Sequence, residues 1–286
     1  MIEFITNNFN NREIAIAFWF MVFMIFVLLK KDVRSSVDNL FKVFFQNKIF
    51  VVFLIMTFYV ISLLILLQKL GVWQFSLLKE TIFWYLGVAV TSLFNANKVN
   101  EDRNYFKNIF KDNLRLIVIL EFVTALYTFN LIVELIFIPI LLLFVLVSAY
   151  SKAHKEYREV KKFTEWVFSF VGLIILIFAL YKIMKDFNGF ANITNLSNFL
   201  LPPILTFLFI PFMYLLALII TYEVFFVRMK FFIKNKNDFK SAKWKVLISF
   251  HFRLRELNKF AKEYFSLNQQ TNNDIVVAIK LFKENL

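Results

Sequence analysis

The chain has 286 residues, 60% of them hydrophobic, with 33 basic against 20 acidic side chains and a mean hydropathy of +0.66. A soluble domain carries about 45–50% apolar residues; here the excess falls in continuous blocks of about the 20 residues a bilayer crossing needs. That excludes a soluble globular domain, and the lack of period-two alternation excludes a membrane β-barrel.

The apolar blocks run 14–29, 49–67, 81–94, 114–129, 131–150, 165–183 and 202–226. They predict an all-α polytopic membrane protein with seven transmembrane helices, domain 1–226 being the bundle and 227–286 a basic helical tail. The first block lacks a basic leader and a small-residue cleavage site, so it reads as a span rather than a cleavable signal peptide.

Basic residues between the blocks alternate. The N-terminal segment has Arg12 alone, and loop 30–48 has five basic residues. Loop 68–80 has two, loop 95–115 five, the junction near 130 none, loop 151–163 five, loop 182–199 two, and the tail thirteen. In total 28 of the 33 fall on one side. Positive short loops stay in the cytoplasm, so the pattern predicts the N-terminus outside, the C-terminus cytoplasmic and an odd number of crossings. It also requires residues 114–150 to cross twice, turning near Thr128, Phe129 and Asn130. The 41 phenylalanines and the excess of lysine over arginine fit an AT-rich bacterial genome, hence a bacterial inner membrane.

Segments 40–55 and 105–120 share an aromatic–Phe–Lys or Leu–Phe–Lys start and read as amphipathic interfacial helices, with Ser35 or Ser36 capping the first. Within the 114–150 hairpin, Glu121 and Glu134 are carboxylates in otherwise apolar sequence. At about 1.5 Å per residue the turn sets them at similar depth, where they would share one proton, hold a cation, or, for Glu134, reach the outer interface. Thr124 and Thr128 extend Glu121 into one polar stripe. Glu165, Ser169 and Gly172 form a second stripe, although Glu165 also reads as a simple helix N-terminal acid. Thr206, Tyr214 and Thr221 share a side of the last span. Glu121, Thr124, Thr128, Glu134, Thr206, Tyr214 and Thr221 are therefore the candidate pore or ion-site residues. Pro202 and Pro203 are expected to open the last span, and Pro139 and Pro211 to kink theirs.

In the tail, Leu247, Phe250, Leu254, Leu257, Ala261 and Tyr264 recur as an a/d seam over 244–265. The seam either joins subunits into a homo-oligomer or packs on the protein's own spans. Residues 266–273 read as a linker, with Asn273 or Asp274 capping a last helix through Phe282. The cationic face holds Lys152, Lys155, Arg158, Lys161, Lys162, Arg253, Arg255, Lys259 and Lys262, with aromatics between them. Such a face suits anionic headgroups or a nucleotide or oligonucleotide.

The absence of cysteine excludes disulfide and thiol chemistry. His154 and His251 match no metal-ligand spacing, so no metal or cofactor is expected. No phosphate-binding glycine loop, zinc motif or nucleophile elbow occurs, which argues against an enzyme. Only four glycines occur, few for a transporter built on broken helices. Three functions remain: an oligomeric ion channel or membrane effector, in stress or phage defence, regulated at the basic face by an anionic ligand or partner; a proton-coupled secondary transporter using Glu121 and Glu134; and a non-conducting scaffold recruiting a soluble protein through its tail.

Overall fold

The structure, a computed structural model, describes residues 9–45, 47–96, 122–263, 265 and 271–285. Among them every regular element is helical. The chain divides into two compact units, one comprising Met1–Val52 with Leu114–Phe199 and the other Phe53–Asn113 with Leu200–Leu286.

In the first unit, α1 (Asn11–Leu29) opens with a capping box: Asn10 Oδ1 accepts the Glu13 N–H and the Glu13 carboxylate accepts the Asn10 N–H, each at 2.9 Å. Helix α2 (Lys31–Phe44) is amphipathic, but it is not the interfacial helix expected over 40–55, which instead straddles the end of α2 and the start of the next helix at Asn47; Ser35 and Ser36 lie inside α2 and do not cap it. Helix α3 (Asn47–Lys69) starts here and continues into the second unit. After helical backbone at 122–126 the chain leaves the helix at 127–130 and re-enters it at Leu131, the start of α5 (Leu131–Ala153). Asn130 caps α5 by accepting the Val133 N–H at 2.9 Å. A short 3-10 turn, Lys155–Tyr157, leads into α6 (Arg158–Lys185). Helix α5 packs against both α1 and α6.

In the second unit, α3 ends in a Schellman motif. Gly71 takes φ +73°, its N–H reaches the Gln68 carbonyl at 3.0 Å, and the Val72 N–H reaches the Leu67 carbonyl at 2.9 Å. The left-handed backbone at that position is what glycine tolerates and a β-carbon resists. The chain returns as α4 (Phe75–Phe94), which begins with a 3-10 turn and carries a π-helical turn at Tyr85–Ala89. Helix α4 is thus longer than the apolar block at 81–94.

Helix α7 (Ile193–Phe232) has 40 residues, about 60 Å at 1.5 Å per residue, twice the roughly 30 Å of a bilayer core. It begins well before Pro202 and Pro203, so these prolines sit in its interior. Half of its most apolar window is buried, against 6% for α6.

The tail follows as α8 (Lys236–Phe250), α9 (Leu254–Glu263) and α10 (Asn272–Glu284). The cap of α10 is Thr271 rather than the expected Asn273 or Asp274: it forms a capping box with Asp274, which is the third residue of the helix. The expected unbroken helix over 244–265 is interrupted at His251–Arg253, where His251 takes φ +44°. Its seam residues Phe250, Leu254, Leu257 and Ala261 are buried inside this chain's own tail. Phe225 and Met229 from the end of α7, and Ile233 just past it, are also nearly inaccessible. Ring pairs Phe225–Phe260, Phe250–Phe282 and Phe260–Phe282 lie 5.6–5.8 Å apart, within the aromatic-pair range of about 4.5–7 Å. Phe225, at the end of the segment read as the bundle, thus packs directly against the tail helices.

Candidate functional site

Glu134 is in the first turn of α5 and wholly buried, with 0% exposure. Its partner comes from the start of α1. Arg12 Nη2 meets Glu134 Oε1 at 3.1 Å and Arg12 Nε meets Oε2 at 3.2 Å, a two-pronged guanidinium–carboxylate pair. The Phe129 N–H donates to the same carboxylate at 3.0 Å. The remaining guanidinium arm, Nη1, donates to the Thr124 carbonyl at 3.3 Å. Three more donors, from α1 and its cap, complete the clamp: Asn10 Nδ2 to the Ala125 carbonyl (3.3 Å), Asn11 Nδ2 to the Phe129 carbonyl (2.9 Å) and Trp19 Nε1 to the Leu135 carbonyl (2.8 Å). The non-helical backbone at 127–130 would otherwise leave carbonyls without partners, which an apolar setting penalises. The two helices α1 and α5 thus begin at the same end of this unit. Glu134 accepts three hydrogen bonds and is compensated in charge, the arrangement of an anchor.

Sequence reasoning singled out Glu134 but not Arg12. The available signal was one basic residue at the poorly charged end of the first span, facing one acid in an apolar helix. Glu121 lies outside the described residues. Thr124 and Thr128 are half-buried beside the clamp. A cavity of about 480 Å³ opens near Phe122, Val123, Phe190 and Phe199; Asn195, also on its wall, spends its side-chain amide on the Gly189 and Phe190 carbonyls.

In the second unit the polar groups of α7 are also engaged. The buried Thr206 hydroxyl accepts from Trp84 Nε1 at 2.9 Å and donates to the Pro202 carbonyl at 2.8 Å. Thr221 donates to the Ala217 carbonyl at 2.7 Å. Tyr59 donates to the Leu208 carbonyl at 2.7 Å, and Thr57 pairs with the Tyr85 hydroxyl at 2.6 Å beside the π-helical turn. Tyr214 donates to the Phe252 carbonyl and accepts the Leu254 N–H at 3.4 Å, while Tyr222 donates to the His251 carbonyl at 2.8 Å. Two tyrosines of α7 thus hold two successive carbonyls of the α8–α9 turn. They offset the positive φ of His251, a conformation that costs a non-glycine residue about 1–3 kcal/mol. Thr206 and Thr221 therefore hold helices or their own backbone, and Tyr214 holds the tail.

The cationic residues divide. Lys161 lies 3.9 Å from Glu165, Lys162 2.8 Å from Glu159, and Arg253 3.3 Å from Glu256. Lys259 sits over the Phe282 ring at 6.0 Å. Lys152, Arg158, Arg255 and Lys262 are exposed, and Lys155 belongs to the 3-10 turn. The exposed pairs are screened and contribute little to stability, so Lys161, Lys162 and Arg253 remain accessible to an anion. Nearby, the His154 ring stacks on Tyr150 with centroids 4.4 Å apart.

Among the described residues no group of side chains is arranged to hold a metal ion. Six helices, carrying α1, α3, α4, α5, α6 and α7, are long and apolar enough to cross a membrane, the pattern of a polytopic helical membrane protein. The predicted span 114–129 lies largely outside the described residues. No protein-family model matches the chain, and no curated protein or solved structure is significantly similar to it.

Proposed function

We propose that the chain is a bacterial inner-membrane protein of seven spans that acts as an oligomeric ion channel or membrane effector, controlled at its basic cytoplasmic tail by an anionic ligand such as a nucleotide or oligonucleotide, or by a partner. The observation carrying this reading is α7: one continuous helix is both a candidate span and the central helix of the tail core. Displacement of the tail by a bound anion is transmitted along that helix, because Tyr214 and Tyr222 tie the two together.

The seven-span topology draws support from the clamp. Helices α1 and α5 begin at one end, so an odd number of crossings separates them. The candidates α3 and α4 supply two, and the seven-span reading takes the third from the 114–129 block, which lies largely outside the described residues. The N-terminus is then outside and the tail inside. Since Thr206 and Thr221 are spent on internal hydrogen bonds, the conducting path forms between copies, with Glu121 and Thr128 among its polar groups. The transporter reading loses its second carboxylate, because Glu134 is held by Arg12. A scaffold reading is favoured by one observation, the closed hydrophobic core of the tail.

The test is ion flux from liposomes carrying the full chain, with and without a panel of nucleotides and short oligonucleotides. Ligand-dependent flux that disappears in Tyr214→Phe/Tyr222→Phe while ligand binding persists is the expected result. No flux under any condition, with a monomeric mass in detergent, rejects the channel and leaves the scaffold.

A further inference from the structure

The turn between α8 and α9 lies at a definable depth. In the second unit, Tyr59 meets Leu208 and Trp84 meets Thr206. Tyr59 and Trp84 are each near the middle of their own candidate spans, α3 and α4. Thr206–Leu208 therefore marks the bilayer midplane on α7. Half of the hydrocarbon core, about 15 Å, takes about ten residues, so the hydrocarbon edge on α7 falls near Ala217. Tyr214 is just inside that edge and Tyr222 just beyond it.

These two tyrosines hold the Phe252 and His251 carbonyls. Helix α8 runs back along α7 in the opposite direction, since Lys243 lies over the Phe226 ring while His251 and Phe252 lie at Tyr222 and Tyr214. The turn is therefore driven toward the membrane, and what it presents there is apolar: Phe252 is 67% exposed and Ile248, one helical turn earlier, 63%. Their neighbour Phe250 points the other way, into the tail core, with 0% exposure. Arg253, which is paired with Glu256 at 3.3 Å across an exposed, screened contact, and Arg255 follow Phe252 and leave the turn net positive, which suits the phosphates of an anionic leaflet.

We propose that this turn is a membrane-seated wedge. Phe252 enters the boundary between headgroups and acyl chains, Ile248 rests against it, and the arginines meet lipid phosphate. The occupant of the exposed apolar face is the bilayer leaflet that α7 itself crosses, because the turn is fixed to α7 at the leaflet's edge. The inference rests on α7 spanning the membrane and not on channel activity. In function, it makes the tail responsive to lipid charge and packing as well as to soluble ligands.

The chain has no cysteine, so single-cysteine variants each take one nitroxide label. The experiment uses the full chain in vesicles of phosphatidylethanolamine and phosphatidylglycerol, with labels at Phe252→Cys, Ile248→Cys, Lys240→Cys near the far end of α8, and Phe207→Cys on the exposed midplane face of α7. Collision with oxygen and with a water-soluble nickel chelate is read at each site. The label at 252 is expected to favour oxygen several-fold more than the label at 240, with 248 between them and 207 deepest. A label at 252 as open to nickel as the one at 240, with 207 still in lipid, overturns the wedge. So does shielding of 252 from both reagents, which would mean a protein covers it. A label at 207 open to nickel overturns the wedge together with the membrane span beneath it.

Discussion

Replacing Arg12 by alanine probes the anchor at the start of α1. The substitution removes both prongs of the ion pair and the bond to the Thr124 carbonyl, leaving Glu134 fully buried with the Phe129 N–H as its remaining hydrogen-bond donor of those described above. Breaking a buried pair by deleting one partner costs about 3–5 kcal/mol. The Arg12 side chain is 24% exposed and one donor survives, which sets the expectation at the low end, about 3 kcal/mol. Arg12→Lys keeps the charge but not the planar fork, so about 1–2 kcal/mol is lost. Arg12→Met combined with Glu134→Leu removes both charges and is expected within about 1 kcal/mol of the parent. The assay is reversible unfolding in bicelles by added dodecyl sulfate, followed by far-ultraviolet circular dichroism. A loss below about 0.5 kcal/mol for Arg12→Ala, within the range of an ordinary surface substitution, would refute the reasoning. A double variant as unstable as the two single variants summed would refute it as well.

Three other outcomes are expected. Trp84→Phe leaves the Thr206 hydroxyl without its buried indole donor and lowers stability by about 1–2 kcal/mol, read in the same titration; an unchanged midpoint would place that hydrogen bond in no energetic role. Tyr214→Phe with Tyr222→Phe frees the His251–Phe252 turn, so trypsin cuts after Arg253 faster than in the parent, and equal rates would contradict the clamp. Phe260→Ala opens the centre of the tail core at a cost of about 3–5 kcal/mol. The tail should then become protease-sensitive while the helices of the first unit keep their circular dichroism, and coincident loss of both would contradict a tail core of its own.

Much of the helical layout is legible in the sequence because apolar runs of bilayer length leave few alternatives. The 49–67, 131–150 and 165–183 blocks each fall within one helix of the structure. Boundaries are less legible. Helix α7 extends nine residues before Pro202, since asparagine and leucine turns ahead of a proline pair carry no stop signal, and it continues past 226 because Phe225 and Met229 are as apolar facing the tail core as they would be facing lipid. The same ambiguity hid the break at His251: the a/d spacing of Phe250, Leu254 and Leu257 is preserved across a turn, because both helices bury those residues in one core. Arg12 and Glu134 are 122 positions apart, and only the fold brings them together. Tyr214 was picked out for its hydroxyl in an apolar span, but its partner is a main-chain carbonyl, which no side-chain pattern announces.

The most direct test of the account is sidedness of the full chain in oriented vesicles, read with a membrane-impermeant maleimide on single-cysteine variants. Cysteine at Phe9 and at Asn130 is expected to label from outside, and cysteine at Asn95 and at Lys283 only after permeabilisation. Phe9 and Lys283 labelling from the same side would mean an even number of crossings. Asn95 and Asn130 labelling from the same side would remove the crossing before Tyr127. Either result would contradict the seven-span topology and, with it, the control of the membrane helices from a cytoplasmic tail.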